Sequence, residues 1–138
     1  MFKIIRRTYF DRFQKHLRDL EKHLNEGDYI QAAEKLWGAI SSFVNAFAKT
    51  EVKDMEYKKR EFEVLLNMLS IEYKHLRDVM KREGFSDAYD FASKAAGLHI
   101  YFYGGRDYPE EKIERVLLSA VKVLKEIHNV ILQKLSLK

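Results

Sequence analysis

SKAAGLHIYFY, residues 93–103, decides how this chain is read. Together with the preceding Phe91 and Ala92 it fits a helix. At about 100° per residue, Phe91, Ala95, Leu98 and Phe102 fall on one side, which marks a core face. Ala92, Ala96, His99 and Tyr103 fall on a second side, about 100° away. Two alanines there permit close approach of another helix, either within one chain or across a dimer. Lys94 sits about 140° from His99, beyond the core stripe, so one straight helix cannot bring the two side chains together.

The same period governs the chain on both sides of this stretch. Phe2, Ile5, Tyr9, Phe13, Leu17, Leu20 and Leu24 recur at steps of three and four and predict a first helix from about Phe2 to Asn25, stopped by Asn25-Glu26-Gly27. Asp28 and Gln31 form a capping-box signature for a second helix, whose apolar line is Ala33, Leu36, Ile40, Phe43 or Val44, and Phe47. Gly38 and several alanines and serines make that helix thin-sided. Thr50 is the candidate cap of a third helix running through Met55, Phe62, Leu69, Tyr73 and Leu76 to Lys81-Arg82, with Gly84 beyond it. Ser86 is the candidate cap of the fourth, which ends at Gly104-Gly105. Asp107, Pro109 and Glu110 open a fifth, carried on Ile113, Leu117, Ala120, Leu124, Ile127, Ile131 and Leu135. No segment alternates with period two. The expectation is an all-α, five-helix antiparallel bundle forming a single domain over residues 1–138.

Composition narrows the chemistry. There is no cysteine, which excludes disulfides and thiolate metal sites. No apolar run is long enough to span a membrane, and the N-terminus lacks the core of a signal peptide. The expected location is the cytoplasm. A formal charge of +4, with both signs interspersed, is mildly basic and does not read as a nucleic-acid tail.

A di-iron bundle site needs two Glu-x-x-His pairs and two more glutamates. Glu72 to His75 is the one such pair present, so no metal or other cofactor is expected. Gly104-Gly105-Arg106 lacks the later Gly-Lys-Ser or Gly-Lys-Thr of a phosphate loop. His16 and His23 lie on the charged first helix and read as solvated, while His128 reads as a core-edge residue. His99 remains open, as a buried hydrogen-bonded side chain at a helix contact or as a functional group.

Two segments carry a resemblance. AEKLWGAI, residues 33–40, followed by LHIYFY, residues 98–103, resembles the PaREP family of small archaeal proteins. That family is similar to the HEPN superfamily of α-helical domains, whose ribonucleases use an arginine and, after four to six intervening residues, a histidine at a dimer cleft. The resemblance therefore implies a HEPN-like up-and-down core and a homodimer. It implies RNA or nucleotide binding, with His99 as acid or base and Tyr101 as the motif tyrosine. Lys94 stands where the arginine belongs. A guanidinium grips phosphate as a planar fork and an ammonium is a point charge, so the exchange favours a binding site over an active ribonuclease. The resemblance also implies a possible nucleotidyltransferase-type protein partner, with Tyr101 as the modified residue. Arg18 to His23 has the bare motif spacing too, but lies on the first helix and has Asn25 in place of the tyrosine. Tyr103, Trp37 and Glu34 complete the candidate site: Trp37 as a packed side chain beside Gly38, Glu34 as a surface charge or a partner for a cation. The alternative reading is a non-catalytic homodimeric protein–protein interaction module.

Overall fold

The computed structural model describes residues 5–48, 50–102 and 110–136. These form six helices: α1 Arg7–Asn25, α2 Tyr29–Phe47, α3 Met55–Glu72, α4 Lys74–Arg82, α5 Ala88–Phe102 and α6 Glu110–Ser136. The chain is all-helical among the described residues, as expected, but the count is six and not five. The predicted stop at Gly104-Gly105 and the Asp107–Glu110 capping box lie outside the described residues or side chains, whereas the first helix, expected from about Phe2, begins only at Arg7, because Ile5 is not helical and Arg6 is extended (φ −91°, ψ 104°).

The extra helix comes from a break at Tyr73 (φ −119°, ψ 88°) inside the predicted third helix. Neither glycine nor proline marks it. One turn earlier, the buried Ser70 hydroxyl donates 2.8 Å to the Leu66 carbonyl. Such a bond competes with the backbone ladder and bends helices. Packing completes the turn: α3 lies against α2 and α5, whereas α4 turns to lie against α6. The bend aims Leu76 and Met80, both buried, at that new neighbour.

Two caps also differ from expectation. Asp54, not Thr50, caps α3, accepting from the Tyr57 amide at 3.1 Å. Thr50 is kept out of the helix by its surroundings. The buried Asn45 side chain bonds Val52 on both sides, accepting from its amide at 2.7 Å and donating to its carbonyl at 3.2 Å. Asp87, not Ser86, caps α5, accepting from the Asp90 amide at 2.8 Å. Ser86 instead donates its amide and hydroxyl to the Asp90 carboxylate, at 2.9 and 3.1 Å.

Elsewhere the predicted punctuation holds. Gly27 has φ 75°, a left-handed conformation that glycine adopts without strain. It lets the amides of Gly27 and Asp28 close α1 on the carbonyls of Leu24 and His23, a Schellman turn. Asp28 then caps α2 through the Gln31 amide at 3.2 Å. Gly84 (φ 93°) ends α4 in the same way, with Phe85 bonded back to the Met80 carbonyl at 2.8 Å.

α1 and α2 form the most extensive helix pair. The far end of this hairpin is tied by the Arg6 amide, which donates to Ala46 at 2.9 Å. A chain of rings crosses the core from α1 to α5. Phe13 meets Phe43 at 5.9 Å, Phe43 meets Phe62 at 5.7 Å, Phe62 meets Phe91 at 5.7 Å, and Phe91 stacks on Phe85 at 4.7 Å. These are favourable aromatic separations.

Candidate functional site

α5 carries the candidate residues, and its wheel is borne out where side chains are described. Phe91, Ala95 and Leu98 are buried. Ala92 and Ala96 on the second face are buried too, within a single chain. The small residues thus serve packing inside this chain. On the same face, His99 meets the ring of Trp37 from α2. Trp37 is buried and stacks against His99, with ring centres 5.6 Å apart and planes 25° apart. His99 is itself half-buried. Trp37 and His99, 62 positions apart in the chain, therefore form one unit. The resemblance named both residues but gave no contact between them.

Lys94 belongs to a different place. Its ammonium donates to the Asp90 carboxylate at 3.1 Å and to the Gly84 carbonyl at 3.3 Å, and lies 5.4 Å from the centre of the Phe85 ring. Asp90 is held below the usual carboxylate range by hydrogen bonds from Ser86 and Lys94, which outweigh the effect of its burial. Lys94 and His99 are thus engaged on separate sides of α5. Tyr101 lies in α5 with its side chain outside the described part, and Tyr103 lies outside the described residues. Glu34 is half-buried on α2, one turn before Trp37.

Lys94 lines a cleft of about 280 Å³ between the α4–α5 turn and the first turns of α6. Glu83, Gly84 and Phe85 form one wall, and Lys112, Arg115, Val116 and Ser119 the other. Lys112, Arg115, Val116 and Ser119 follow the i, i+3, i+4, i+7 spacing of a single helix face. Sequence reasoning missed Lys112 and Arg115. That spacing was the available signal, but nothing in it indicated that Lys94 would be opposite.

The other histidines divide in a way that sequence did not foresee. The charged first helix predicts a solvated His16. Its ring in fact packs on Gly38, so close that a Cβ added there would lie 3.0 Å from ring atoms. Burial, reinforced by nearby Lys35, pushes its pKa below the ordinary value. His128 is a core-edge residue as expected: it accepts from the Gln14 amide at 2.9 Å, lies 6.0 Å from the rings of Phe10 and Phe13, and is lowered chiefly by burial. The Glu72–His75 pair spans helices, with Glu72 on Lys134 and His75 on Glu126, each at 2.8 Å. His23, the histidine of the second motif spacing, lies 3.6 Å from Glu26 at the end of α1. Among the described residues no group of three or more side chains is placed to hold a metal ion, and no helix is long and apolar enough to cross a membrane.

No curated protein and no solved structure matches the chain. Residues 8–125, from α1 into α6, match the profile of the archaeal PaREP1/PaREP8 family. That span takes in both resemblance segments up to Tyr103, Trp37 and His99, and both walls of the Lys94 cleft. The chain belongs to the archaeal PaREP1/PaREP8 family.

Proposed function

We propose that this chain is a HEPN-like domain with an antiparallel up-and-down core that binds RNA or a nucleotide without cutting it. The observation that carries the reading is the division of labour on α5. Cleavage by the motif would need the cation and the histidine at one reacting phosphate, within hydrogen-bond reach of it. Lys94 is held by Asp90 and the Gly84 carbonyl on one side, and His99 lies on Trp37 on another. A lysine placed among other cations still suits phosphate binding. The test is to incubate the protein with mixed RNA beside His99→Ala, and to measure binding over a range of salt. The expected result is no cleavage by either protein, and binding that weakens steeply as salt rises. Cleavage that disappears in His99→Ala would reinstate the ribonuclease. No binding at low salt would remove the RNA reading.

A second reading has its own observation. Tyr57, Val64 and Ile71 lie seven residues apart on α3, and each is between 46% and 67% exposed. Beside them runs a groove of about 650 Å³, lined in part by Phe47, Val52, Leu65 and Met68. Exposed apolar side chains beside a groove suit an interaction module that pairs with a second copy. Sedimentation at several concentrations tests it, and a strict monomer at every concentration would sink it.

A further inference from the structure

We infer that the cleft formed by Lys94, Lys112 and Arg115 holds a terminal phosphate, the monoester at the end of an RNA strand or on a nucleotide. This rests on the reading of the domain as a binder of phosphate-bearing ligands, and it names the group recognised. The argument is one of charge. Four charged side chains line the cleft. Glu83 is balanced by Lys122 at 3.6 Å, and Lys94 by Asp90 at 3.1 Å. Among the described residues, Lys112 and Arg115 have no carboxylate partner. They stand at i and i+3 on one helix face, where like charges repel. Two positive charges without a carboxylate partner among the described residues therefore face a concave site. A phosphodiester in a strand carries one negative charge, whereas a phosphate monoester carries about 1.5 to 2 at neutral pH. The monoester matches the cleft, and the diester leaves it under-neutralised.

The walls suit the same ligand. Lys94 is pre-positioned by three contacts, which lowers the entropy lost on binding. Arg115 offers the fork that matches phosphate oxygens in pairs, and Ser119 adds a hydroxyl donor. The volume is just below the usual range for sites that enclose a whole small molecule, about 300–1,000 Å³. It accommodates a phosphate and part of a sugar, with the remainder of the ligand outside.

The experiment compares oligoribonucleotides of one sequence carrying a 5′-phosphate, a 3′-phosphate or neither, with adenosine 5′-monophosphate as a separate ligand. Binding is measured to the wild-type chain, to Lys112→Gln/Arg115→Gln and to Lys94→Gln. Lys112 and Arg115 are exposed, so the double variant keeps the fold, which circular dichroism checks. A terminal phosphate should tighten wild-type binding at least tenfold, and the double variant should erase that gain, because each charge-assisted hydrogen bond contributes about a tenfold factor or more. Lys94→Gln should lose part of it. Equal wild-type binding with and without a terminal phosphate would overturn the inference while leaving RNA binding intact. A gain that survives in the double variant would overturn the inference as well. If adenosine monophosphate binds the wild type and not the double variant, while no oligonucleotide binds at low salt, the cleft stands and the RNA reading falls.

Discussion

The two sides of α5 contrast. Toward α2 the helix presents alanines and a histidine, and the gap is filled by the largest side chain in the chain, Trp37. Toward the α4–α5 turn it presents Lys94, held by a carboxylate and a carbonyl at the edge of a cationic cleft. One side is closed by apolar and aromatic packing and the other is open and charged. Lys94 and His99 are five residues apart yet lie on separate sides, so neighbourhood in sequence does not amount to a shared site here. The closed side contributes stability, and the open side is free to meet a ligand.

Substitutions can break this contrast in order of severity. Phe91→Ala should do the most damage. Its ring is buried and joins Phe62 to Phe85, in one wall of the cleft, so the loss should be about 3–5 kcal/mol in denaturant unfolding. A loss below about 1 kcal/mol would mean that the ring chain does not organise the core. Ala96→Leu comes next, since overpacking a tight helix contact costs about 1–3 kcal/mol. It should also displace the Trp37 ring. Trp37 is the sole tryptophan, so its fluorescence reports the displacement directly. An unchanged spectrum would contradict the closed-face description.

Lys94→Gln should move stability by less than about 1 kcal/mol, because it removes a partly exposed ion pair. A marked drop in the melting temperature would show that the open side is structural after all. The smallest effect concerns pH. His16 and His128 have pKa values pushed below 6.5 by burial. The unfolded chain therefore binds protons at these sites before the folded chain does. The stability they leave intact at neutral pH declines as pH falls through about 6.5 toward the lowered values. The melting temperature should fall over that window and fall less in His16→Gln. Parallel profiles for the two proteins would remove His16 from the account.

Much of the fold was legible because helix period and helix punctuation are local properties. Phe13, Leu17, Leu20 and Leu24 are buried as their spacing requires, and Gly27, Asp28 and Gly84 end or begin helices for reasons intrinsic to those residues. The break at Tyr73 was not legible. It depends on a serine hydroxyl and on a partner helix that is distant in sequence. The displaced cap of α3 has a nearer cause, since Asn45 bonds Val52 on both sides and holds the segment after Thr50 out of a helix. For the site, a helical wheel gave the angle between Lys94 and His99 but not their neighbours. That Trp37 would meet one, and Lys112 and Arg115 the other, depends on how α2 and α6 pack against α5.

The elbow at Tyr73 has a consequence for local opening. α4 has nine residues and buries only Leu76 and Met80, so it forms a small cooperative unit set off from α3. Units of that kind open well below the global unfolding free energy and exchange their amide hydrogens early. Yet the turn that ends α4 supplies the Gly84 carbonyl that holds Lys94. Opening α4 thus loosens the cleft, and by linkage whatever occupies the cleft slows exchange in α4. The shortest helix among the described residues is the place where occupancy of the cleft would be read as protection, with no change of shape.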